Sequence, residues 1–547
     1  MDYSQHCNRR QTPQSEPIPG RPDMVENYAG GYGFAVDDWV RLERFLVLGT
    51  EGGTYYVGEK ELTREMAQAV ERCIQVDGQR VVRKTVEISD AGRAPKNDPA
   101  LFVLALCASI GDLETRQLAL EELPRVARIG THLFHFARYV KALRGWGRAL
   151  RHAVAAWYED MPIERLAEQA IKYKGRDGWT HRDLLRLAHP KTADPARNAV
   201  FRYMVKGYEN LEGHAGPNQY PKKIEAAELL AFAPTMEKVD GRTAAMSAAS
   251  ILIREEKLPR ECVPTELLNS VEVWAALLEH MPMTAMIRNL AKMTSIGLLR
   301  QLSPTTDVVA TRLADGERLA KARIHPVQVL SALKVYAQGH GERGSLTWEP
   351  VPRIIDALDA AFYATFALLE AVNKRFVLGI DVSGSMGFSG SLQGLPGLVA
   401  RDGAAAMAMA TLYAEPACAV VGFCGELVPL PLSKRMRLDD VIKATSNLPL
   451  GRTDCAVPML WALDQGIEAD VFVIYTDNET WCGHVHPVQA LQRYREKTGI
   501  PAKLVVVAMK GTPFTIADPN DAGMLDVVGL DSGFPAVLQD FASGPKS

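Results

Sequence analysis

Asp381-Val382-Ser383-Gly384-Ser385 sets one carboxylate and two hydroxyls at alternate positions, which puts their oxygens on one side of a tight turn. Two further hydroxyl–carboxylate pairs, Thr453-Asp454 and Thr476-Asp477, lie far downstream. Together these groups can build an oxygen shell for a small hard cation. Mg²⁺ takes about six oxygens at roughly 2.1 Å and usually keeps some water. A shell rich in hydroxyls and poor in direct carboxylates leaves the ion electron-poor, so an acidic group from outside can complete it. The competing reading is that the serines only cap the helix that follows.

These groups need strands to carry them. Phe376–Ile380 and Asp470–Tyr475 are apolar runs that end in Asp381 and in Thr476-Asp477. Ala417–Phe423 and Ala502–Ala508 are two more, and continuous apolar runs suit parallel strands buried on both faces. The Ala- and Met-rich stretch from Val399 to Glu415 reads as a helix lying close on such a sheet. Strand–helix alternation predicts a doubly wound α/β domain over 374–547, with its ligand site at the carboxyl ends of the strands. The turn, Thr453 and Asp477 all fall at that edge. This set resembles the metal-ion-dependent adhesion site of von Willebrand factor A-type domains.

The rest of the 547-residue chain has a different texture. Residues 1–25 are polar and carry four prolines, which reads as a disordered tail. From 26 to 373, amphipathic helical blocks such as Leu101–Ile110, Arg125–Arg144, Ala244–Glu256 and Met286–Leu299 follow one another between short breaks. Helices of this length stack into an α-solenoid. The apolar fraction of 47% is ample for a core, and the net charge of −3 gives no global sign of a polyanion partner. Eight scattered cysteines (7, 73, 107, 262, 418, 424, 455 and 482) form no Cys-x-x-Cys pair, as expected of reduced thiols in a cytoplasmic protein. No leader and no membrane span is expected.

Local charge says more than net charge. Leu123 to Tyr158 holds no carboxylate but contains Arg125, Arg128, Arg138, Lys141, Arg144, Arg148 and Arg151. If the segment from Arg138 is one helix, Lys141, Arg144, Arg148 and Arg151 line a single face. Next, Lys172–His189 interleaves Lys172, Lys174, Arg176, His181 and Arg182 with Tyr173 and Trp179. A third cluster is Lys321-Ala-Arg323-Ile-His325, followed by Lys334, Tyr336, His340 and Arg343. Cations neutralise phosphates and aromatic faces stack bases, which suits RNA with single-stranded parts. The plainer alternative is a set of solvated helix faces.

The helical region also resembles the TROVE module of the Ro ribonucleoprotein autoantigen family, and the whole chain looks like a bacterial orthologue. The resemblance rests on Arg44–Tyr56, Gly145–Leu150, Lys172–His189, Met281–Leu290, Lys321–Pro326, Asp381–Met386, Thr453–Cys455, Thr476–Thr480 and Phe514–Pro519. It implies a ring of HEAT-like repeats joined to the von Willebrand factor A-like domain. It further implies Y RNA on the outer surface and single-stranded 3′ ends of defective RNAs in the central hole. RNA quality control and maturation under stress, with polynucleotide phosphorylase as a tethered partner, belong to the same implication, as does a protein that is monomeric. Residue by residue, it makes Lys172, Lys174, Arg176, His181 and Arg182 contacts for Y RNA. It makes Ser383, Ser385 and Thr453 metal ligands, with Asp381 and Asp477 acting through water. Two departures stand out: Arg452 replaces the glycine expected before Thr453, and the loop Gly387–Gly397 is longer than in vertebrate members.

Catalysis finds no support in the sequence. No phosphate-binding Gly-x-x-x-x-Gly-Lys-Ser/Thr loop and no nucleophile–base motif appears. Two-metal nuclease chemistry would need more bridging carboxylates than Asp381 and Asp477 provide. Cys482, His484 and His486 lack a fourth zinc ligand. The expectation is a binding protein and not an enzyme. The alternative outside RNA biology is a metal-dependent protein-interaction scaffold.

Overall fold

The structure, a computed structural model, describes residues 11–50, 62–211, 220–240, 242–342, 344–366, 371–388, 398–446, 448 and 451–544. Cys7, residues 51–56, Arg343 and residues 389–397, all used in the sequence reading, lie outside the described residues.

A short hairpin, β1 (Met24–Glu26) and β2 (Tyr32–Ala35), precedes the helices. The helical part then runs from Asp38 to Ala364 and is interrupted by one tight hairpin, β3 (Gly175–Arg176) and β4 (Trp179–Thr180). Its last helix is Pro352–Ala364. Residues 232 or more apart meet where the array returns on itself. Arg323 Nε donates to the Asp90 carbonyl at 2.8 Å, and Gln328 Nε2 donates to that of Pro95. His325 Nε2 lies 3.0 Å from the Arg93 carbonyl. The solenoid is therefore closed, first helices against last.

The α/β part is built from β5 (Arg375–Asp381), β6 (Ala417–Phe423), β7 (Leu427–Val428), β8 (Val471–Thr476), β9 (Lys503–Ala508) and β11 (Met524–Val528). These form one sheet in the order β11-β9-β8-β5-β6-β7, parallel throughout except for β7. Every residue of β8 is buried, as its unbroken apolar run predicts. The remaining strand, β10 (Phe514–Thr515), leaves this sheet and pairs with β2. The Ala-rich helix Ala400–Ala414 packs so closely that a Cβ on Gly403 would lie 2.9 Å from Leu530.

The two parts interlock. Arg44, wholly buried, donates to Asp526 at 2.6 Å and to the carbonyls of Thr512 and Phe514. Lys334 reaches Asp402 at 2.6 Å, and Arg93 reaches Asp531 at 2.6 Å.

Residues 11–25 correct the expectation of a disordered tail. Thr12 and Gln14 are buried, Gln14 completely, and Arg21 bridges Asp23 and Asp518. Prolines forbid helix here, but an extended segment can still satisfy its backbone on a neighbour. Gln14 N donates to Gly483 O, and Gln14 O accepts from Tyr32 N, both at 2.9 Å.

Candidate nucleic-acid interface and metal centre

Cations spread over the sequence converge in the fold. Arg125, Arg128 and Arg323 approach the single carboxylate of Asp90 at 2.5, 3.9 and 3.8 Å. Burial and the neighbouring Arg323 push the Arg128 guanidinium down to about 10. The first and third clusters thus meet at the closure of the solenoid, with cations in excess. Arg165 joins them by donating to the Arg128 carbonyl at 2.9 Å.

The second cluster is carried by the β3–β4 hairpin. Asp177 (φ 54°) and Gly178 (φ 77°) form a two-residue turn with both central φ values positive, the geometry that Asp-Gly favours. Asp177 is held by Arg138 at 3.2 Å and by His135 Nδ1 at 3.3 Å. Trp179 stacks on Trp146 with centroids 6.0 Å apart, and Lys141 Nζ lies 5.3 Å over the Trp179 ring. Lys172 Nζ lies 5.4 Å from the centre of the Tyr173 ring. The hairpin therefore fixes an aromatic base under a fringe of cations. Lys141, Arg148, Lys174 and Arg182 are exposed and enter no ion pair among the described residues. Arg144 and Arg176 are exposed as well.

Several sequence expectations need correction. Arg138 to Arg151 is not one helix: the chain breaks after Leu143 and restarts at Arg148, because Gly145 (φ 89°) and Gly147 interrupt it. His181 is 3% exposed, its Nδ1 2.8 Å from Tyr158 Oη, and burial lowers its pKa to about 4. It is the first residue after Thr180, which caps the helix His181–Ala188 in a reciprocal pair with Asp183, so its ring turns inward. A Cβ on Gly130 would lie 2.9 Å from that ring. His325 is also buried: its Nδ1 accepts from Val327 N at a helix start, and its other nitrogen faces Arg93 O. Neither histidine can touch an outside ligand. Lys321 remains exposed, while the guanidinium of Arg323 is directed to the closure. Sequence reasoning missed the Trp146–Trp179 stack; His189, the last residue of the second cluster, is exposed at the left-handed end of its helix (φ 50°).

The metal candidates assemble at the carboxyl edge of the sheet. Asp381 ends β5 and Thr476 ends the adjacent β8, and Thr476 Oγ1 donates to Asp381 Oδ2 at 2.7 Å. Ser383 N donates to Asp381 Oδ1 at 2.9 Å, and the hydroxyls of Ser383 and Ser385 converge at 3.2 Å. Both carboxylate oxygens of Asp381 are thus engaged by protein donors. Asp381, Ser383, Thr453 and Asp477 are all buried. Burial and the nearby Asp477 push the Asp381 carboxyl well above the usual carboxylate range. Two buried carboxyl groups that repel one another, beside converging hydroxyls, are an arrangement that a divalent cation relieves, so these residues fit such an ion. Thr453 is held by its carbonyl, which accepts from Trp481 N and Cys482 N at 3.0 and 3.3 Å. No group of three or more His, Cys, Asp or Glu side chains able to hold a metal exists among the described residues, which gives the zinc reading of Cys482, His484 and His486 no support. The seven described cysteines are free.

Comparison with known proteins agrees with this architecture. Residues 25–334 match the TROVE domain family, and residues 375–542 match the Ro60 vWA domain. The protein called RNA-binding protein RO60 in Deinococcus radiodurans is 42% identical over 534 residues, covering 97% of each chain. The one so called in Caenorhabditis elegans is 38% identical and covers 95% of this chain and 90% of its own. The crystal structure of the Deinococcus radiodurans RO (RSR) protein superposes with a TM-score of 0.69, covering 93% of this chain and all of that one. A closed helical array, a hydroxyl-lined sheet edge and near full-length similarity lead to one conclusion: the chain is a bacterial-type member of the Ro60 family, a TROVE domain followed by a Ro60 vWA domain.

Proposed function

We propose that this chain binds RNA and does not cut it. The observation that carries the reading is the exposed fringe of Lys141, Arg144, Arg148, Lys174, Arg176 and Arg182 around the Trp146–Trp179 stack. Relatives named RNA-binding proteins support it. A small structured noncoding RNA of the Y type lies across this outer face, its phosphates on the cations. Single-stranded 3′ ends of misfolded RNAs enter the closed solenoid, and the complex serves RNA quality control or maturation under stress in the cytoplasm. Polynucleotide phosphorylase or another exoribonuclease would supply the cleavage that this chain lacks, and the protein acts as a monomer. At the second site, Ser383, Ser385 and Thr453 hold a divalent cation, Mg²⁺ by the hardness of its oxygens, with Asp381 and Asp477 linked through water. The ion offers a Lewis-acidic position for an outside carboxylate. Crosslinking bound transcripts in cells and sequencing them tests the RNA reading: recovery of small structured RNAs joined at the 172–182 segment is expected, and recovery of none contradicts it.

One observation favours a second reading, the protein-interaction scaffold. Arg452 is exposed beside Thr453, with its guanidinium 5.4 Å from the centre of the Trp481 ring. A fixed cation at the rim of the metal centre suits an acidic protein partner. On this reading a protein, and not RNA, is the main ligand, and the absence of RNA binding by the purified chain would favour it.

A further inference from the structure

We infer that Gln14 is a positioning residue of the metal centre, and that docking of the amino-terminal segment and metal occupancy favour each other. The inference rests on the proposed metal site and deepens it.

The Gln14 carboxamide is wholly buried between two loops, one carrying Thr453 and the other following Asp477. Its Nε2 donates to Asp454 Oδ1 at 2.7 Å and to Val485 O at 2.8 Å. Its Oε1 accepts from Thr480 Oγ1 at 2.5 Å and from Gly483 N at 3.3 Å. Both protons and both lone pairs are thus used, the full capacity of a primary amide. The partners belong to the two loops in turn. Asp454 Oδ1 also accepts from Ala456 N, and Thr480 Oγ1 also lies 3.0 Å from Cys455 N, so the carboxamide closes a network across both loops. Gly483 makes room for it: a Cβ there would lie 2.4 Å from Gln14 Nε2.

The segment is pinned on both sides of this residue. Thr12 N donates to Gln489 Oε1 at 3.2 Å, and His486 Nε2 lies 2.8 Å from Glu16 O. Asn27 adds a second tie, donating from Nδ2 to Thr480 O at 2.7 Å. Thr453 and Asp477 come from different crossovers: Thr453 directly precedes Asp454 of this network, and Asp477 lies three residues before Thr480. Direct bonds from Trp481 N and Cys482 N to Thr453 O and from Cys455 N to Thr480 Oγ1 already join the two loops. The Gln14 carboxamide adds a second clamp on their separation from more than 400 residues away in sequence. Groups that orient metal ligands without touching the ion typically contribute roughly 10- to 100-fold in affinity. Linkage makes the effect reciprocal: an ion that needs the two loops in register also holds the segment down.

The test uses the full chain and Mn²⁺ as the probe ion. Gln14→Ala is expected to weaken Mn²⁺ binding roughly 10- to 100-fold by calorimetry. Gln14→Glu is expected to weaken it further, because its oxygens cannot donate to Asp454 and Val485 O. A control for lost stability is Arg495→Ala, which removes the 2.7 Å bond to Ala502 O and the ion pair with Asp521 at the far end of the helix Pro487–Thr498, and it should bind Mn²⁺ as wild type does. In the wild type, Mn²⁺ should slow hydrogen exchange at the Gln14 and Tyr32 amides, a readout that needs no variant. Unchanged Mn²⁺ affinity in folded Gln14→Ala, or exchange at those amides indifferent to Mn²⁺, overturns the inference while leaving the metal site standing. Failure of the wild type to bind Mn²⁺ removes the site itself and the inference with it.

Discussion

Replacing Lys174, Arg176 and Arg182 together by alanine separates a surface contact from a structural one. All three side chains are exposed on or beside the β3–β4 hairpin, so their loss leaves the fold intact. Each phosphate contact adds about 0.7–0.9 to the slope of log K against log salt. At 0.15 M salt that is about 0.6–0.7 of a log unit per contact, so three lost contacts weaken binding roughly 50- to 150-fold, about 2.4–3 kcal/mol. The slope itself should fall in size by about 2.1–2.7. His181→Ala is the counterpart. It removes a buried ring and its contact with Tyr158, which costs about 2–4 kcal/mol of stability. It should lower the melting temperature while leaving the salt slope unchanged in protein that remains folded. Fluorescence anisotropy with a labelled structured RNA, repeated from 50 to 300 mM salt, reads both quantities (the concentrations are about those at which such slopes are resolved). A triple variant that binds with wild-type affinity and slope would refute the assignment of this face. So would a His181→Ala variant that loses slope without losing stability.

Asp381→Ala should abolish Mg²⁺ binding by calorimetry and leave RNA affinity within about twofold, since the carboxylate serves the sheet edge and not the cationic face. Arg44→Met should destabilise the protein by about 3–5 kcal/mol in urea, because it strands the Asp526 carboxylate opposite a lost, wholly buried partner. The histidines' contribution to stability should also fall as pH drops from about 6.5 towards 4. Burial holds His181 and His325 at about 4 and His132 at about 3, so the unfolded chain, with histidines near 6.5, takes up these protons first. The buried Asp381 and Asp454 carboxyls, raised in the folded state, take up protons over the same range and oppose this. The check is therefore NMR titration of the rings: one that protonates at about 6.5 in the folded protein would contradict its neutral state.

Much of the α/β part could be read from sequence because its signals are local. Alternate spacing in Asp381-Val-Ser383-Gly-Ser385 needs only a turn, and the all-apolar runs of β5, β8 and β9 need only a parallel sheet. The errors follow from partners distant in the chain. Pro-rich residues 11–25 look disordered until Asp454, Thr480 and Gly483 are brought against Gln14. His181 and His325 stand in cationic stretches but at helix starts, and which way such a ring turns is set by Tyr158 and by Arg93 O. Strands of two residues carry no alternation, so the β3–β4 hairpin had only Asp177-Gly178 to announce it. The convergence of Arg125, Arg128 and Arg323 on Asp90 depends on closure of the solenoid, which no local pattern encodes.

The most direct measurement mixes purified full-length protein with a structured RNA bearing a single-stranded 3′ end, in low-salt buffer with Mg²⁺, and follows both binding and RNA length. Saturable binding that weakens as salt rises, with the RNA recovered at full length, is the predicted result. No binding even in dilute buffer, or progressive shortening of the RNA, would contradict the claim that a cationic helical scaffold holds RNA without cutting it.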